Sequence, residues 1–155
     1  MYVLVVNRYI CMFDMQSITG RIAVGKLVGL VTGVVVMVML PSFGYPFNSM
    51  LGWGTMLMFI LMGAMIGMMG MYTEHPVFGF KMKWWLRGPL VGMSFMLMFI
   101  LLAHDEIAII LQSSLLSWMN LESPFWALID GLFIGGIIGY LSTRISGEGP
   151  DLPIK

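Results

Sequence analysis

The carboxylate of Asp130 is the residue with the most chemistry to explain. It stands in "PFWALIDGLFIGGIIGYLSTR", Pro124 to Arg144, a stretch otherwise apolar or small until Arg144. A carboxylate near mid-membrane costs about 2.5–3.5 kcal/mol on insertion scales. It must take up a proton, find a partner or face water. The run His104, Asp105, Glu106 is the other concentration of ionisable groups in an apolar setting. Counting 14 residues back from Arg144 puts Asp130 about 21 Å along its helix, at about 1.5 Å per residue. Counting 17 residues forward from Arg87 puts His104 at about 26 Å. Both depths fall in the far half of a hydrocarbon core about 30 Å thick. The expectation is an acidic vestibule, with His104, Asp105 and Glu106 at the rim and Asp130 below. A proton or small cation suits such a site, since histidine changes charge near neutral pH. The plainer alternative makes Asp105 and Glu106 solvated loop charges, His104 an interfacial side chain and Asp130 an interhelical hydrogen-bond anchor.

Other chemistry is thinner. There are 18 methionines, many in "MLMFILMGAMIGMMGMY" and "MSFMLMF". Thioethers suit Cu(I), and Met56/Met58, Met65/Met68 and Met96/Met98 are close in sequence. They lie in apolar runs, however, where flexible methionine fills packing gaps. Only Cys11, His75 and His104 could assist, so no metal or other cofactor is expected. One cysteine cannot form an internal disulfide. No nucleotide loop, HExxH, CxxC or Ser-His-Asp set is visible. "YTEHPVFGF", with Glu74 and His75, reads as a turn because Pro76 and Gly79 break helices. An enzyme is not expected. Net charge is zero, so no basic face points to nucleic acid.

The elements that must position these residues are membrane helices. Of 155 residues, 59% are hydrophobic and 10% charged, against roughly 25% charged in soluble domains. No charge occurs between Lys26 and Glu74, enough for two crossings of about 20 residues each. "PSFGYPFNSMLG" is the turn between them. The fold class is all-α: a polytopic membrane protein forming one domain over 1–155. Spans are expected at 22–40, 51–72, 88–103 and 124–142. A short outer interfacial helix is expected within 107–119. Residues 1–21 form an N-terminal segment, read as retained and partly an interfacial helix, and 143–155 a cytoplasmic tail.

Lys and Arg set the orientation. Arg8, Arg21 and Lys26 precede the first span, Lys81, Lys83 and Arg87 separate the second and third, and Arg144 and Lys155 follow the fourth. The other two loops have neither residue. The positive-inside rule then places both termini in the cytoplasm. A bacterial inner membrane is the default location. Trp84 and Trp85 stand beside the basic cluster, and Trp53, Trp118 and Trp126 near the opposite interface, as amphipathic rings prefer.

Glycines recur at helical spacing. Gly25, Gly29 and Gly33 are four apart in the first span, and Gly131, Gly135 and Gly139 in the fourth. Gly63 and Gly67 mark the second. Such stripes let membrane helices approach closely. They are packing faces for the chain itself, for a homo-oligomer or for a larger membrane complex. Trp53 and Gly63 are ten apart, as are Trp126 and Gly136, which suggests a repeat of two-helix halves. Thr32, Thr55 and Ser94 are the clear polar residues deep in the other spans, so no continuous proton wire is visible.

Two functions follow. One is permeation or transport of protons or small cations through Asp130, aided by His104, Asp105 and Glu106. The other is a non-enzymatic accessory or assembly subunit that packs through its glycine-striped helices against a partner membrane protein.

Overall fold

The computed structural model describes residues 16–72, 79, 82–121 and 123–147. The N-terminal interfacial segment through residue 15, the Glu74–His75 turn and the tail beyond residue 147 lie outside the described residues. Among the described residues every regular element is helical. Helix α1 spans Ile18–Met39 and runs into a 3-10 turn, Leu40–Phe43. Helix α2 spans Met50–Met68, with a 3-10 turn over Met69–Met71. Helix α3 spans Trp84–Leu102, α4 is the short His104–Leu111, and α5 spans Ala127–Ser146 after a 3-10 turn at Pro124–Trp126. Helices α1, α2, α3 and α5, with their 3-10 extensions, are long and apolar enough to cross a membrane.

The ends have local causes. Helix α1 starts one turn earlier than hydropathy suggests because Ser17 caps it. The Ser17 hydroxyl accepts from the Gly20 amide at 3.0 Å. Ser49 does the same for α2, accepting from Gly52 at 3.2 Å. A cap of this kind satisfies one of the four orphan amides of a first turn. Helix α3 also begins earlier than hydropathy suggests, at Trp84 rather than Gly88, and so takes in Arg87. Helix α4, expected within 107–119, begins at His104 and stops at Leu111. Asp105 and Glu106 lie in its first turn, where the helix dipole favours negative charge. Gln112, Ser113 and Ser114 follow its end as turn residues.

Packing is organised in two antiparallel pairs, α1 with α2 and α3 with α5. Both are closed by glycine. A Cβ added to Gly25 would come within 2.9 Å of the Gly63 carbonyl carbon, and one on Gly67 within 2.7 Å of the Arg21 carbonyl oxygen. At Gly33 it would meet the Met56 Cα at 2.8 Å. In the second pair, a Cβ at Gly135 would meet Gly92 Cα at 2.9 Å, and one at Gly131 would meet Met96 Cβ at 2.6 Å. Real side chains do not fit at such distances, so backbone lies on backbone. Gly88 and Gly92 are the partners that α3 supplies to the stripe of α5. Gly136 is outside the seam. A Cβ there would meet only Pro89 Cγ, at an ordinary contact distance of 3.6 Å. The ten-residue Trp–Gly spacing therefore joins a seam glycine, Gly63, to one that is not in a seam.

Between the pairs lies an apolar core of Met58, Phe59, Met62 and Ile66 from α2, Val91, Met96 and Ile100 from α3, and Ile138 from α5. Ala103 and Ile107 close it at the α4 end. Methionine here fills space among branched side chains. Met96 is buried while Met98 is exposed. Two residues apart on a helix means about 200° of rotation, so these two thioethers face opposite ways and cannot hold one ion.

Candidate functional site

Asp130 lies in the first turn of α5, one position before the seam glycine Gly131. The seam faces α3, so its neighbour at about 100° of rotation is turned away from it. Asp130 is exposed on the lateral face of the chain. Trp126, Phe133 and Ile137 are exposed as well, and their spacings of four, three and four place them on one face with Asp130. Among the described residues Asp130 makes no hydrogen bond and no ion pair. The carboxylate thus projects outward from a membrane-spanning helix, among large apolar side chains.

His104, Asp105 and Glu106 lie on α4, which packs against the Pro124–Trp126 turn that leads into α5. His104 Nδ1 lies 3.1 Å from Asp105 Oδ1, an exposed contact between sequence neighbours. The Asp105 side chain is 95% exposed. No hydrogen bond or ion pair joins Asp130 to His104, Asp105 or Glu106 among the described residues. No group of three or more His, Cys, Asp or Glu side chains there could hold a metal ion. Thr32, Thr55 and Ser94 each donate to the carbonyl four residues back, Val28, Leu51 and Leu90 respectively. These hydroxyls serve their own helices.

A second polar centre occupies the opposite, basic end. Six polar or charged residues are buried among those described, and five of them, Ser17, Arg21, Arg87, Ser142 and Ser146, lie here. Arg21 is 1% exposed and Arg87 3%. Arg21 Nε donates to the Gly67 carbonyl at 3.0 Å, Nη2 to Thr143 Oγ1 at 3.0 Å, and Nη1 to the Gly147 carbonyl. Arg87 Nη1 donates to the Met69 carbonyl at 3.1 Å and to that of Tyr72. The acceptors lie at the C-terminal ends of α2 and α5. The last carbonyls of a helix lack internal donors and carry its negative dipole end, so a guanidinium suits them in both respects. A Cβ on Gly70 would overlap the Arg21 side chain. That glycine makes the room in which Arg21 crosses from α1 to α2.

Hydropathy treats Arg21 and Arg87 as markers of the cytoplasmic boundary and gives no sign of their burial. The available signal for Arg21 is its place four residues before Gly25, on the seam face of its helix. Nearness alone is no signal, since Lys26, beside Gly25, is exposed.

No protein-family model, curated protein or solved structure matches this chain. The four apolar helices make it an integral membrane protein, and the positions of its side chains carry any finer conclusion.

Proposed function

We propose that the protein is a non-enzymatic membrane subunit that assembles laterally with the helices of a partner membrane protein, and that Asp130 is its intramembrane contact. One observation carries this reading. Asp130 is exposed within the fourth span, beside Trp126, Phe133 and Ile137, and among the described residues no group of its own chain engages it. A carboxyl group in that position is costly against hydrocarbon and is relieved by a polar group on a neighbouring helix. The glycine stripes hold the chain's own helices together, so the contact with a partner falls to the Asp130 face instead.

The apolar core favours assembly over autonomous permeation. Met58, Met62, Ile66, Val91, Ile100 and Ile138 offer a proton or cation no polar group along the centre of the chain. Permeation through Asp130 would therefore run along an interface between chains.

Two measurements on one set of variants separate these functions. The first is proton and cation flux into vesicles holding the purified protein, under an imposed gradient. The second is co-purification from native membranes. We expect no flux from wild type. We expect a co-purifying membrane protein to be kept by Asp130→Asn, which retains hydrogen-bonding capacity, and lost with Asp130→Leu. Flux in the wild type that disappears in Asp130→Asn would overturn this reading and make the protein a transporter.

A further inference from the structure

A groove of about 420 Å³ runs along the lateral face between α3 and α5. Ligand sites typically measure about 300–1,000 Å³. Its walls are Trp84, Trp85 and Pro89 from α3, with Phe133, Gly136 and Tyr140 from α5. Gly136 gives it depth. Unlike the seam glycines, Gly136 touches no helix backbone, and its missing side chain leaves open space bounded by Pro89. The lining of α5 extends from Leu132 to Leu141, nine rises or about 14 Å of helix. That is about half of a hydrocarbon core about 30 Å thick, the depth of one leaflet.

The end of the groove is chemically distinct. The Trp84 and Tyr140 rings meet there with centroids 5.3 Å apart, tilted by 56°. Indole and phenol groups sit at headgroup level because one part is apolar and the other polar. Lys83 directly precedes Trp84. Arg144 lies four residues beyond Tyr140, on the same helix face. Both cations are exposed, and among the described residues neither makes a hydrogen bond or ion pair. An occupant must therefore be long and apolar over one leaflet and anionic at the end. Basic clefts between spanning helices suit anionic lipid headgroups for this reason.

We infer that this groove binds an anionic phospholipid, its acyl chain over Gly136 and Pro89 and its phosphate between Lys83 and Arg144. The groove shares Phe133 and Ile137 with the Asp130 face, so a bound lipid would border a partner helix there. Its headgroup end, at Lys83 and Arg144, is read on the purified chain without any partner.

The test is native mass spectrometry of the full chain in detergent, with phosphatidylglycerol or phosphatidylcholine of identical acyl chains. Wild type should retain one phosphatidylglycerol, with a preference over phosphatidylcholine on the order of tenfold. Lys83→Gln with Arg144→Gln should abolish that preference. Both side chains are exposed, so this variant keeps the fold and decides the question alone. Gly136→Leu, checked for a monodisperse helical protein, should lose both lipids. Equal retention of the two lipids by wild type would overturn the proposal, as would an unchanged preference in the double variant. Displacement of phosphatidylglycerol by inorganic phosphate at equal concentration would also overturn it, by assigning the site to the anion alone.

Discussion

Arg21 reaches three oxygens on two other helices, two of them carbonyls at helix ends. Arg21→Met keeps the apolar stem and removes every donor. The Gly67 and Gly147 carbonyls then lose this donor at the ends of α2 and α5. Leaving a buried polar group unpaired costs about 1–3 kcal/mol, so a loss of about 2–4 kcal/mol is expected, read from denaturant or thermal unfolding in detergent. Arg21→Lys should recover only part of it, because an ammonium is a point charge and cannot span acceptors that a planar fork can. Equal stability of wild type and Arg21→Met would show that the clasp adds nothing. Asp130 presents the opposite case. Among the described residues it engages nothing within the chain, so Asp130→Asn should leave unfolding of the isolated protein unchanged, while Asp130→Leu should change what the protein assembles with.

At the scale of elements, the glycines divide into two kinds that look alike in sequence. Gly135 lies against Gly92 so closely that a Cβ would sit 2.9 Å from its Cα. Gly135→Val must push α3 and α5 apart, at a cost of at least about 1–3 kcal/mol for overpacking, and should lower the unfolding temperature sharply. Gly54 has nothing within 4 Å of the same position. Gly54→Ala should be neutral or stabilising, by up to about 1 kcal/mol from helix propensity. Similar losses from both substitutions would show that the seams do not set the helix spacing. The stripes at Gly25, Gly29, Gly33 and Gly131, Gly135, Gly139 are legible because spacing of four marks one face of a helix. Their partners are not. Pairing Gly25 with Gly63, and Gly92 with Gly131, requires knowing which helices meet and at what register.

For the whole molecule, four crossings place the ends of α2 and α5 together with the starts of α1 and α3, at the end where Arg21, Arg87, Lys83 and Arg144 gather. Basic residues are retained on the cytoplasmic side. In a chain carrying Cys11→Ser, a cysteine at Asn120 should react with an impermeant maleimide from outside the cell. A cysteine at Lys83 should react only after the membrane is opened. The reverse pattern would invert the topology. The same arrangement explains why the vestibule expected from helix depth is not joined into one site by any hydrogen bond or ion pair among the described residues. His104 opens the short helix α4, and Asp130 turns outward from α5. Depth along a helix places a residue in one dimension only, and rotation about the axis decides its neighbours.

The sequence by itself determined the solvent, the number of crossings and the glycine faces. Each follows from composition or from a periodicity along one helix, and such local patterns need no knowledge of a partner. Only the tertiary structure decided that the seams close within the chain, that Asp130 faces outward, and that Arg21 and Arg87 are buried at the ends of other helices. Those outcomes depend on which helices pair, in what register and at what rotation. Contacts between residues as distant as Arg21 and Gly147 leave no repeat or spacing in the sequence from which they could be read.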